Sequence, residues 1–220
     1  MIKSLVAGSM LAAAVASVAS AGFTGYSVQR NITAGGNIQY QVFANWDQSG
    51  LVFLNAFNFA TQSGTMNARH QDFFVADGEV GTWQAGSSVS AADRGEDSWV
   101  TASGLATSSG WGTALDPGFT NGGTVGDVNA GAGWYDATPG TANAVLAGGT
   151  QGGYRMLLMQ VVRSGDDAGQ ASSHSMQLSW KVAGTTTAIF GNGSFDLGVI
   201  PAPGAMALLG LAGLAGRRRR

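Results

Sequence analysis

The chain contains no cysteine. That excludes a disulfide scaffold, a thiolate-ligated zinc site, a dithiol redox centre and a cysteine nucleophile. Two histidines, His70 and His174, are too few for a multi-histidine metal centre within one chain. Charged residues make up 11% of the sequence, less than half of the roughly 25% found in ordinary soluble domains. Proline occurs four times, whereas glycine occurs 35 times in 220 residues, about twice its usual share. The length fits one domain, and the glycine excess favours turns over helices.

The basic residues are unevenly placed. Lys3 and Arg217 to Arg220 lie at the two ends, leaving six basic residues against thirteen acidic ones in between, a net charge of −7 for residues 22–198. Such a domain has no basic footprint for nucleic acid and no attraction to an anionic lipid surface.

Residues 1–21 read as a secretory signal peptide. Lys3 forms the positive n-region, Leu5 to Val18 the apolar stretch, and Ala19-Ser20-Ala21 the small-x-small cleavage site, so the mature chain is expected to begin at Gly22. At the other end, Pro201-Ala202-Pro203-Gly204 leads into an apolar run from Ala205 to Gly216, closed by Arg217, Arg218, Arg219 and Arg220. As a helix, residues 204–216 would span about 20 Å, short of the roughly 30 Å of a bilayer core. The segment suits transient inner-membrane retention, with the arginines held on the cytoplasmic side.

This three-part tail resembles the PEP-CTERM sorting signal, in its Pro-Ala-Pro variant. The resemblance covers Ile200 to Arg220 and implies an exported protein of a Gram-negative bacterium, processed by an exosortase-like membrane enzyme. Asp97-Ser-Trp-Val-Thr101, Leu115-Asp-Pro-Gly-Phe119, Gly131-Ala-Gly-Trp-Tyr135 and Arg155-Met-Leu-Leu-Met-Gln160 look like a pattern in other exported proteins with this tail. That second resemblance implies a shared ectodomain architecture and no catalytic assignment.

Residues 22–198 are expected to be all-β, a single β-sandwich of jelly-roll or immunoglobulin-like connectivity with long Gly-rich loops. Ile38–Trp46 alternates apolar with polar residues, and Leu51–Phe59 follows across the turn cluster 47–50; together they read as a hairpin. Gly25–Asn31, Gln71–Ala76, Ser98–Ala102 (edge-like), Tyr154–Arg163 and Ser175–Val182 read as further strands. Thr185–Phe190 is expected to pair with the last of these, and Phe195–Ile200 to form a final strand or the start of a stalk. Residues 103–153 are poorly patterned.

Chemistry is scarce. The chain has no Gly-x-Ser-x-Gly elbow. His70, two residues from Asp72, and His174, among Ser172, Ser173 and Ser175, read as solvated loop histidines. The acids Asp72, Asp77, Glu79, Asp93, Glu96 and Asp97 fall in no motif that demands a glycosidase pair. The acidic loops Asp93-Arg-Gly-Glu96-Asp97 and Ser164-Gly-Asp166-Asp167 are candidate calcium sites, as hard cations take oxygen ligands. Asp127-Val-Asn-Ala-Gly131 begins like a calcium loop, but Ala132 and Thr138 stand where an EF-hand needs Gly and Glu. Trp83, Trp99, Trp111 and Trp134, flanked by Gly, Ser or Asp, are candidate exposed rings for sugar binding. The sequence therefore favours a non-enzymatic cell-surface or extracellular-matrix (biofilm) protein. A module for extracellular polysaccharide is the alternative, and a secreted hydrolase ranks third.

Overall fold

The computed structural model describes residues 22–70, 83, 91–104, 113–119, 125–137, 146–147, 154–165 and 171–198. These are all-β apart from one helical turn. In chain order the elements are β1 (Phe23–Ile32), β2 (Ile38–Trp46), β3 (Leu51–Ser63), β4 (Ala68–Arg69), α1 (Ala91–Gly95), β5 (Trp99–Gly104), β6 (Thr113–Leu115), β7 (Val125–Gly126), β8 (Trp134–Asp136), β9 (Leu146–Ala147), β10 (Tyr154–Arg163), β11 (Ser172–Val182) and β12 (Ile189–Leu197).

Two antiparallel sheets carry the fold. The first has the order β1-β2-β10-β5, with β9 also paired to β10; the second has the order β12-β11-β3-β8-β6, and β4 pairs with β7. Their inner faces share one core, which includes Tyr40, Val42, Ala44 and Met159 from the first sheet and Phe53, Met176, Leu178 and Phe195 from the second. This is the arrangement of a β-sandwich.

Period-two patterning explains most of it. In β2, every second residue from Ile38 to Trp46 is buried. β10 is buried at eight consecutive positions because both its faces are covered: Met156, Leu158, Met159 and Val161 enter the main core, and Leu157 lies in a second small cluster with Trp99 and Phe43. That double burial accounts for its uninterrupted apolar run.

The expected hairpin of Ile38–Trp46 and Leu51–Phe59 does not form. β2 belongs to the first sheet and β3 to the second. The loop 47–50 instead carries the chain around a corner of the sandwich, pinned from both sheets by Asp47 N–H to the Gly22 carbonyl and Ala183 N–H to the Gly50 carbonyl (each 2.8 Å). Trp46 and Leu51, on either side of this corner, are both buried in the core. Near the C-terminus, Thr185–Ala188 is loop, and only Ile189 and Phe190 of the expected strand Thr185–Phe190 pair with β11, as the start of β12. Gln71–Ala76 lies outside the described residues.

Aromatic rings tie the two sheets together. Phe23 of β1 lies 5.9 Å from Trp46 and 5.7 Å from Trp180 of β11, and the two indoles meet edge to face at 6.1 Å. Opposite them, β12 carries Gly191, where a Cβ would come within 2.8 Å of the Trp180 ring and 3.0 Å of Phe23. The glycine is required by close approach.

Among the described residues no helix is long and apolar enough to cross a membrane. Residues 1–21 and 199–220, including Ala19, Ala21 and Pro201 to Arg220, lie outside the described residues. Gly22 is buried, immediately before β1.

Candidate functional site

Of the acidic candidates, Glu96 and Asp97 are engaged within the fold. Glu96, just after α1, reaches the β1–β2 turn, where its carboxylate accepts hydrogen bonds from Thr33 Oγ1 (2.8 Å), Gly35 N (2.7 Å) and Asn37 Nδ2 (2.8 Å). Burial pushes its pKa up, but these hydrogen bonds and the charge of Arg69 outweigh it and hold the pKa below the ordinary value. Asp97 accepts from Ser98 N at 2.8 Å, and its Oδ1 lies 3.7 Å from His70 Nδ1. Asp93 is part of α1, and Asp166 and Asp167 lie outside the described residues. Asp127 accepts from Asn67 N at 2.7 Å. Among the described residues, no group of three or more His, Asp or Glu is placed to hold a metal ion.

Both histidines are buried, against the expectation of solvated loops. His70 packs edge-on against Trp83 at 4.6 Å. His174 lies on the inner phase of β11, in step with Met176, Leu178 and Trp180, and its ring stacks on Phe59. Its Nδ1 is 3.1 Å from Thr61 Oγ1 and its Nε2 is 2.9 Å from Ser172 Oγ, which also accepts from Arg163 Nη2. A neutral imidazole fits between two hydroxyls, donating at one nitrogen and accepting at the other. Burial, reinforced by the Arg163 charge, lowers its pKa to about 4 against the partial opposition of Asp127 and Asp196.

A pH dependence follows. The unfolded chain takes up this proton from about pH 6.5 downward, whereas the folded chain resists until about pH 4. Stability is therefore expected to fall by up to about 3 kcal/mol between those values and to level off below. Glu96, with its lowered pKa, acts in the same direction, but only below its ordinary value of 4.5. Urea midpoints measured from pH 7 to pH 4 would test this. A flat profile, or one unchanged in His174→Gln, would show that the ring does not control it.

The expected exposed tryptophans are core residues. Trp83, Trp99 and Trp134 are each at most 1% exposed, while Trp111 lies outside the described residues. The Trp134 indole donates to the Thr101 carbonyl and the Trp99 indole to the Arg94 carbonyl.

The exposed rings are others, on the outer face of the second sheet. One row runs across four strands, pairing Phe190 with Ser179, Ser179 with Asn55, and Asn55 with Tyr135. Phe190 is 63% exposed and Tyr135 40%. Three strand spacings separate them, about 14 Å. Between them, Ser179 Oγ donates to Asn55 Oδ1. Phe57 backs Phe190 edge-on at 6.3 Å. Two register shifts in β3 bracket Phe57: the first, between Phe53 and Asn55, passes the inward place to Ala56 and turns Phe57 outward, and the second, at Asn58 with φ 51°, returns Phe59 to the core. The neighbouring row carries Asn192 and Gln177, and Asn58 Nδ2 donates to Gln177 Oε1 at 3.0 Å. Lys181 and Asp196 stand in β11 and β12 toward opposite ends of this field.

No protein-family model, curated protein or solved structure matches the chain.

Proposed function

We propose that this chain is a non-enzymatic component of the bacterial cell surface or extracellular matrix, exported through residues 1–21 and sorted through residues 199–220. An exosortase-like enzyme would process the tail while its apolar segment is held transiently in the inner membrane. The observation that carries this reading is the pairing of a signal peptide with the Pro201-Ala202-Pro203-Gly204, apolar, Arg217–Arg220 tail around one domain. The fit of the domain between the two supports it: β1 begins at Phe23, one residue past the expected cleavage product's first residue, and β12 ends at Leu197.

We further infer an immunoglobulin-like sandwich. In support, β1-β2-β10-β5 and β3-β11-β12 follow the order ABED and CFG of immunoglobulin domains, with β6 and β8 extending the second sheet beyond β3. Strands B and F, bridged by a disulfide in antibody domains, here bring Trp46 against Trp180. A domain of this kind presents surfaces and needs no internal cleft.

Intact mass of the native protein from envelope and culture-medium fractions tests the sorting. The expected mass begins at Gly22 and ends near residues 201–204. A mass retaining Arg217–Arg220 would overturn the assignment of the tail.

A further inference from the structure

We propose that the outer face of the second sheet is a binding platform for a neutral polysaccharide. Phe190 and Tyr135 are its stacking rings, and Asn192, Asn58 and Gln177 are its partners for sugar hydroxyls. The proposal goes beyond the surface-component reading and does not depend on it.

Leaving a large aromatic ring in water forgoes burial worth about 2 kcal/mol, and β-sandwich strands ordinarily turn such rings inward. Phe190 sits in the outward phase of β12 with Asn192, Ser194 and Asp196, while Phe195 and Leu197 take the inward places. Phe57 is brought to the same face by the two register shifts that bracket it in β3 and packs against Phe190. A local irregularity of the backbone thus adds a ring to the outer surface.

The second observation is what separates the rings. Ser179 and Asn55 lie between Phe190 and Tyr135, and the adjacent row offers amides. A protein-docking surface concentrates its apolar groups in a dry centre surrounded by polar groups. In the Phe190–Tyr135 row the order is reversed, with a ring at each end and Ser179 and Asn55 between, while the adjacent row sets the Asn192 and Gln177 amides beside the Phe57 ring. A sugar chain matches that order, since it presents C–H faces that lie on rings and hydroxyls that both donate and accept, as amides do.

Charge argues against an anionic ligand, and nothing in these rows pairs with a charged one. Ser175, Gln177 and Ser179 of β11 oppose Ser194, Asn192 and Phe190 of β12, so these pairs hold no acid or base side chain. Lys181 is the cation of β11, and residues 22–198 carry a net charge of −7. An anionic polymer would be repelled by the domain as a whole.

The test is affinity electrophoresis of the native protein through gels containing a β-glucan, an α-glucan, a mannan or a galactan, with alginate as the anionic control. The expected result is retardation by a neutral polymer that persists at about 0.5 M salt, where electrostatic attraction is screened. Phe190→Ala and Tyr135→Ala should each weaken it about tenfold. Val182→Ala removes an apolar side chain as exposed as Tyr135 but on the opposite phase of β11, and should leave retardation unchanged. Retardation by none of the neutral polymers would overturn the proposal. So would equal losses in all three variants, or binding to alginate alone that salt abolishes. Sedimentation of the free protein adds a further check: a dimer that Phe190→Ala and Tyr135→Ala both convert to monomer would make this face a self-interface and sink the sugar site.

Discussion

Arg163→Leu is expected to lower the free energy of unfolding by about 3–5 kcal/mol. The guanidinium is fully buried at the end of β10. Its Nε donates to the Met66 carbonyl at 2.6 Å, and its Nη2 donates to the Thr65 carbonyl at 3.0 Å and to Ser172 Oγ. The Tyr40 ring lies 5.4 Å from its carbon centre. Leucine fills much of the space but donates nothing. The buried Met66 carbonyl loses its donor, the more exposed Thr65 carbonyl exchanges its donor for water, and the buried hydroxyl between Arg163 and His174 loses one of its partners. Buried acceptors left without donors cost about 1–3 kcal/mol each. The same substitution removes a positive charge that opposes protonation of His174, so acid destabilisation should be shallower in the variant. Urea unfolding followed by tryptophan fluorescence should show a reduced midpoint at unchanged slope. A loss below about 1 kcal/mol would mean that the guanidinium serves no structural purpose. Ser172→Ala belongs to the same network, so the double variant should fall short of the sum of the single losses.

Trp180→Ala is expected to cost about 3–5 kcal/mol through the cavity it leaves. The indole is fully buried between the sheets, against Phe23 and Trp46. Its Nε1 has no hydrogen-bond acceptor among the described residues, so its contribution rests on packing. A compensating change distinguishes this prediction from a generic core loss. Gly191→Ala alone should destabilise, because its Cβ would come within 2.8 Å of the Trp180 ring. In the Trp180→Ala background that methyl enters the vacated space, and the residual contact is Phe23 at 3.0 Å. The double variant should therefore be more stable than the sum of the two losses predicts, by about 1 kcal/mol. Simple additivity would show that Gly191 is not held small by the indole.

These two sites show where the sequence was legible. β2 and β10 have the residue ranges read from pattern alone, because alternation and turn signals act locally. The pairing of β2 with β3 was misjudged because a short polar turn looks the same whether it closes a hairpin or rounds a sandwich corner. Only the tertiary fit of Trp46 and Leu51 separates the two cases. His174 seemed solvated because serines surround it, yet its even phase with Met176, Leu178 and Trp180 was a usable signal of burial. Phe190 could be placed outside by the same phase reasoning along β12. Phe57 could not, since nothing in the run of aromatic residues marks the register shifts on either side of it. The acidic loops gave the type of ligand atom but not the fact that Glu96 would be committed to the Thr33–Asn37 turn.

The pairing of β2 with β10 joins segments more than a hundred residues apart. A chain that crosses a membrane N-terminus first would deliver β1 and β2 long before β10 exists on the far side. The early hairpin can close alone, but its free edge must wait, and β3 must wait likewise for β11. Assembly is thus held back until nearly the whole domain has passed, with closure governed by rare long-range encounters and hence slow. In a chain exported as proposed, the strand order would act as a timer, keeping the polypeptide threadable during passage and deferring the locked state until it is across.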